Sequence, residues 1–307
     1  MKEKLNYFAM AAVAMFLFSC NGEMKEVSND VLAPVTVSVN NFSVSQEEFL
    51  DKPSGQAERP TTRATSVDSY KGLKTLTLAF YKDDGTEQFK TTHTKGSMSE
   101  GDTFGEFSTT LPIGSYTMVV LGYVLYDDDV LTLTSPTQAE YTVNAPRETF
   151  AATQVVNVTS STPLNLTATL NRIIACLQVI STDGCTADVN KVRMTFSAGG
   201  KKFSPTTGLA TANTGSVSTV SNNFTVGTSS TSTGFVFLTS DKQTMDVTIE
   251  TLDSEGNTIY STLVKNVPFQ RNRKTKLTGS VYPTEASARA SSFQVDTEWL
   301  PDHNMNF

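Results

Sequence analysis

The sequence predicts an all-β protein made of two β-sandwich domains in tandem. Three observations carry this expectation. Charged residues make up only 18% of the 307-residue chain, which is rich in Thr, Ser and Val, a composition that favours extended strands and polar turns over helices. Alternating apolar and polar residues recur at intervals of roughly 8–12 residues, with turn signals between them. No stretch shows helical periodicity for more than two turns.

Taken in order, VLAPVTVSVNNFSVS (31–45) places Val35, Val37 and Val39 on one face, with Phe42 and Val44 beyond a kink; it reads as a strand. QEEFLDKPSGQAERPTTR (46–63) is polar, holds two prolines and lacks periodicity, so it reads as an exposed linker. LKTLTLAFY (73–81) leads through Asp83-Asp84-Gly85 into TEQFKT, a hairpin with an Asp-Gly turn. GEFSTTLPIGSYTMVVLGYVLY (105–126) holds two strands around Pro112-Ile113-Gly114, followed by ETFAATQVVNVT (148–159) and LNLTATLNRIIACLQVIS (164–181). Residues 172–180 are apolar on both faces and therefore expected to be covered on both sides. In the second half, strands are expected at 190–198, 234–240, 245–253 and 257–267, the last two joined across Ser254-Glu255-Gly256. Residues 204–234, dominated by Ser, Thr, Asn and Gly, read as long solvated loops around a short strand.

The N-terminus reads as a secretory signal. Lys2 and Lys4 precede the apolar run YFAMAAVAMFLF (7–18), which is shorter than the roughly 20 residues needed to span a bilayer. The run closes on Leu17-Phe18-Ser19-Cys20, which resembles a bacterial lipobox. In such signals the thiol is acylated and Cys20 becomes the new N-terminus. Glu23 and Glu26 resemble the acidic surface-export signals of Bacteroidetes lipoproteins. Acyl chains contribute about 0.8 kcal/mol per buried CH₂, so several chains together anchor durably.

Other chemistry is sparse. A net charge of −7 opposes a nucleic-acid partner through phosphate repulsion. His93 and His303 lack Cys, His or carboxylates at ligand spacing, so no metal or other cofactor is expected. Asp127-Asp128-Asp129 reads as a solvated connection, since calcium loops need more oxygen donors at set spacing. RNRKTK (271–276) reads as a charged strand edge that blocks unwanted pairing. Cys176 and Cys185 leave two alternatives open: a short disulfide in an oxidising compartment, or a buried thiol within IIACLQVI. No nucleophile elbow or phosphate-cradling loop is present, and no enzyme is expected.

Several motifs together carry a resemblance. The pattern Leu111-Pro112, Gly114 and Tyr116 before an apolar strand resembles the signature of transthyretin-like β-sandwiches. LTATLNRIIACLQV (166–179) and NVPFQRNRKTKLTGSVY (266–282), with the lipobox and first strand, resemble the fimbrillin family of Bacteroidia type V pili. The resemblance implies two transthyretin-like domains, export through the periplasm as a lipoprotein, and an outer-membrane or cell-surface fimbrial location supporting adhesion. It also implies cleavage in the linker by an arginine-specific protease. A neighbouring subunit's C-terminal strand then fills the groove left by the first strand, in a head-to-tail fibre of identical or related pilins. Arg59 precedes Pro60, which hinders cleavage, so the expected cut lies between Arg63 and Ala64.

The expected organisation is a signal peptide (1–19), a lipidated propeptide with first strand and linker (20–63), sandwiches at 64–168 and 169–283, and a C-terminal extension (284–307). In SSFQVDTEWL (291–300), Phe293, Val295, Thr297 and Trp299 share one face. They form either a donor strand or an ordinary last strand pairing within its own domain. Two rival readings are an anchor or tip subunit that keeps its lipid, and a surface glycan-binding lipoprotein. The latter wants aromatic platforms that the loops lack.

Overall fold

The structure, a computed structural model, describes residues 31–42, 66–98, 101–124, 130–142, 145–221, 224–282 and 293–296. Its regular elements are strands throughout, and the fold is all-β as the sequence predicts. The first nine are β1 (Leu32–Phe42), β2 (Thr75–Lys82), β3 (Glu87–Thr94), β4 (Glu106–Pro112), β5 (Gly114–Tyr123), β6 (Leu131–Ser135), β7 (Gln138–Tyr141), β8 (Thr149–Val158) and β9 (Leu164–Arg172). The others are β10 (Ala175–Ser181), β11 (Lys191–Phe196), β12 (Lys202–Phe203), β13 (Ser216–Ser221), β14 (Thr231–Val236), β15 (Lys242–Leu252), β16 (Thr258–Gln270), β17 (Lys274–Gly279) and β18 (Gln294–Asp296).

A seven-stranded sheet runs β3-β2-β5-β8-β9-β1-β4. It folds over at β9, whose end pairs with β8 at Phe150↔Arg172 and Ala151↔Asn171 while Leu164–Leu170 runs beside β1. One core fills the fold, with Leu76, Leu78 and Phe80 of β2 facing Val35, Val37 and Val39 of β1. A second core lies between the sheets β14-β10-β17-β18 and β13-β11-β15-β16, around Leu177, Val247 and Leu277. A third forms on the outer face of β2 and β5, where Tyr81 and Leu121 meet Phe203 and Phe237, whose rings stack 4.0 Å apart. Both faces of β2 are therefore covered, and Thr75–Tyr81 are all buried.

The sequence expectations need several corrections. The stretch 164–181 is two strands, broken at Ile173-Ile174. The short strand expected within 204–234 is β13, but the loop reading conceals the start of β14, where Ser232 is buried and Gly234 lies under Met194 and Ser218. Small polar residues hid that start from a reading based on apolar alternation. RNRKTK is no sheet edge: residues 271–273 form a turn, and β17 pairs with β10 on one side and β18 on the other. The disulfide alternative gives way to buried thiols at Cys176 and Cys185. Cys176 is the second residue of β10 and Cys185 lies beyond its end. An extended strand separates residues by about 3.3 Å each, far outside the span of about 4.4–6.8 Å between bridged Cα atoms.

Candidate functional site

The first strand and the slot that holds it form the site. β1 is inserted between β9, to which it runs parallel, and β4, to which it runs antiparallel. Among the described ladders, β4 pairs with β1 alone. The pleat sends Ala33, Val35, Val37 and Val39 inward, each at most 1% exposed, and Pro34, Thr36 and Asn40 outward. The register slips between Ser38 and Asn41, where β1 spends one more residue than β9. This bulge shifts the inward positions from odd to even numbers and turns Phe42 into the core. The kink legible in the sequence is that bulge.

Polar contacts edge the slot. Thr36 Oγ1 donates to Asn165 Oδ1 at 2.5 Å, and Ser38 Oγ to Glu106 Oε2 at 2.6 Å. The Val39 amide donates to the Gly105 carbonyl at 2.7 Å. Gly105 has φ +94°, and a Cβ there would fall 2.7 Å from the Val39 carbonyl oxygen. Only glycine suits that backbone and that close approach.

The far end of the slot rests on a buried ionic network. The Phe42 ring lies 5.2 Å from Tyr70 and 4.9 Å from Phe150, which are 5.5 Å from each other. The Tyr70 hydroxyl donates to Glu148 Oε1 at 2.8 Å, and Arg172 Nε pairs with the same oxygen at 2.7 Å. Arg172 Nη2 donates to the Tyr70 oxygen at 2.8 Å, and its guanidinium lies over Phe150, 5.2 Å from the ring centroid. Burial pushes the Tyr70 phenol well above its usual value; Arg172 opposes that rise and Glu148 adds to it. Arg172 Nη1 reaches Asn272 Oδ1 at 3.1 Å. Asn272 sits at φ +58° and donates its amide to the Ile174 carbonyl at 3.0 Å. The slot is thus tied to the turn between β16 and β17.

The described residues that flank the linker meet at this place. Asn41 bridges to Ser66, and the Val67 amide donates to the Asn40 carbonyl at 3.1 Å. Lys95 Nζ holds the returning segment through the Asp68 carbonyl at 2.6 Å and the Val67 and Tyr70 carbonyls at 3.3 Å each. Desolvation lowers the Lys95 pKa, and Asp68 opposes the shift.

The sequence-predicted residues fall as follows. Cys20, Arg63, Ala64, Thr297, Trp299, His303 and the Asp127–Asp129 run lie outside the described residues. Phe293 is half-buried against the second core. Val295 pairs with Leu277 of the same chain and is 44% exposed. Among the described residues no cluster of His, Cys, Asp and Glu could hold a metal, and no helix is long and apolar enough to cross a membrane. Sequence reasoning missed Tyr70 and Glu148. Arg172 and Asn272 lie in the two family-like segments LTATLNRIIACLQV and NVPFQRNRKTKLTGSVY, which do not show that the two residues touch.

Residues 37–303 match the model of DUF6562, a family of unknown function. The chain belongs to that family. The match opens within β1, so the DUF6562 span includes Val37, Val39 and Phe42 of the slot. No curated protein matches the chain by sequence. Among solved structures, a candidate adhesin from Bacteroides ovatus is similar at 11% identity and a TM-score of 0.51, covering 90% of this chain and 97% of its own. That likeness is one of fold. The fimbrial anchor protein Mfa2 from Porphyromonas gingivalis is 14% identical with a TM-score of 0.45, covering 87% of this chain and 98% of its own. The tip fimbrial protein Mfa3 of the same organism, with C-terminal truncation, is 10% identical with a TM-score of 0.39, covering 87% and 100%.

Proposed function

We propose that this chain is a structural subunit of a cell-surface fimbria. It is exported as a lipoprotein acylated at Cys20 and cut by an arginine-specific protease between Arg63 and Ala64. It assembles when a strand of another fimbrillin-like subunit replaces β1. One observation carries this reading: a buried apolar strand separates β9 from β4, and the residues that flank the linker following it, Asn41 and Ser66, bridge to each other. A single cut in such a linker detaches the strand without severing anything else.

Removing β1 leaves unpaired backbone groups on β4 and β9 beside an apolar trough, a surface that recruits another strand. Donor and acceptor surfaces differ, so the contact is head-to-tail and propagates as a filament. The likeness in fold to a candidate Bacteroides ovatus adhesin agrees with a surface role.

The test is digestion of the purified full chain with an arginine-specific protease. The expected outcome is one cut after Arg63, followed by loss of the 20–63 fragment and growth of oligomers by light scattering. A chain that is cut yet keeps its fragment and stays monomeric, even at high concentration, argues against strand replacement.

A further inference from the structure

The geometry points to a binding site for an acidic saccharide, a sugar carrying a carboxylate or sulfate group, in the cleft between the end of β9 and the β16–β17 turn. The cleft holds about 680 Å³, within the usual range for small-molecule sites of roughly 300–1,000 Å³. Residues 151–153, 171–173, 205–208, 241–242 and 270–273 line it. Four of the lining side chains are cationic, Arg172, Lys242, Arg271 and Arg273, against the single carboxylate of Asp241. On a chain of net charge −7, positive charge gathered in one cleft attracts an anion to that place.

The two arginines of the turn have different partners. Arg271 Nη2 pairs with Asp241 Oδ1 at 2.7 Å, and its Nη1 donates to the Thr207 carbonyl at 2.6 Å. It staples two loops of the cleft wall together. Gly208, at φ +69°, lets its loop lie close: a Cβ there would fall 2.7 Å from Arg271 Nη1 and 2.9 Å from Ile173 Cγ2. Arg172 is engaged with Glu148, Tyr70 and Asn272. The Arg273 side chain, half-buried, makes no ion pair or hydrogen bond among the described residues. Its backbone is nonetheless fixed. The Arg273 amide donates to the Gln270 carbonyl at 3.2 Å, and its carbonyl accepts from the Cys176 amide at 3.0 Å. A guanidinium on a fixed backbone, with no partner of its own, suits a carboxylate or sulfate bound by two parallel hydrogen bonds.

Groups that bind hydroxyls line the same cleft. The side chains of Gln270 and Thr153 make no hydrogen bond among the described residues, and Asn272, whose Oδ1 accepts from Arg172, keeps its Nδ2 donor available. Amides and hydroxyls both donate and accept, as sugar hydroxyls do. No aromatic residue lines the cleft, so recognition depends on charge and hydrogen bonds, and a neutral sugar supplies only the second. A peptide fits less well. One bound as an added strand needs an unpaired strand edge, whereas Ala151 and Ala152 pair with Leu121 and Val120, and Gln270 pairs with Lys242. No β1 residue lines the cleft, so the site is present in the uncut chain and is independent of assembly.

The experiment titrates the purified full chain by calorimetry with three probes of equal length: a galacturonate trimer, a sulfated galactose trimer and a neutral galactose trimer. At least one acidic trimer is expected to bind about tenfold or more tightly than the neutral one, and the tighter of the two acidic trimers identifies the anion. Arg273→Ala weakens that binding about tenfold or more, and Arg273→Lys weakens it less, because lysine keeps the charge without the fork. Lys201→Ala removes a cation that pairs with Glu140 outside the cleft and changes the affinity less than about twofold. Thermal unfolding of each variant checks that it folds as the parent does. Binding of neither acidic trimer, equal binding of the neutral one, or an Arg273→Ala variant that binds as the parent does overturns the site. Equal losses in the Arg273 and Lys201 variants overturn it too, since they show diffuse attraction to surface charge.

Discussion

At the residue scale, Arg172 does the most. It pairs with Glu148 at 2.7 Å with side chains only 2% and 4% exposed, donates to Tyr70, stacks over Phe150 and reaches Asn272. Removing one partner of such a buried pair strands the other without compensation. Arg172→Ala is expected to cost about 3–5 kcal/mol by denaturant unfolding, whereas the apolar double variant Glu148→Leu/Arg172→Met recovers much of that loss. Equal losses in both variants would show that packing, not stranded charge, sets the cost. Little of this network was legible beforehand. Arg172 and Asn272 sit in two segments that stand out in the sequence, but the residues lie 100 positions apart in the chain. Nothing in their spacing says that a guanidinium meets an amide. Glu148 sits at the start of a strand and looks in sequence like any surface carboxylate.

At the element scale, β1 was legible because its pleat is clean: three valines on one face and polar residues on the other. Its neighbours were not, since alternation says which face is buried but not which strand lies alongside. β6, β7 and β12 went unseen because strands of two to five residues carry too few alternations to register. β17 was misread because Lys274 and Lys276 point outward from a strand whose Thr275 and Leu277 are buried. The slot itself makes a contrast that can be measured. Gly105→Ala and Val37→Asp should both loosen β1 in the uncut precursor, seen as faster hydrogen exchange over residues 32–42, because one crowds the Val39 carbonyl and the other buries a carboxylate. Asn40→Asp, at an exposed position on the outward face, should leave exchange within about twofold of the parent. Equal protection in all three would mean that β1 is not seated by its inward face.

At the scale of the whole molecule, the all-β class followed from composition and spacing, but three cores rather than two organise the described residues. The third joins β2 and β5 to Phe203 and Phe237 and was invisible because its members come from segments read as loop or as separate strands. The fibre reading rests on β1 being a temporary occupant of a permanent slot. The most direct measurement is intact mass and N-terminal analysis of the protein recovered from surface fibres, with Arg63→Ala as control. The account predicts assembled chains that begin at Ala64 and carry no acyl group, and a control that stays monomeric and acylated at Cys20. Fibres whose subunits retain Cys20, its lipid and β1 would contradict it.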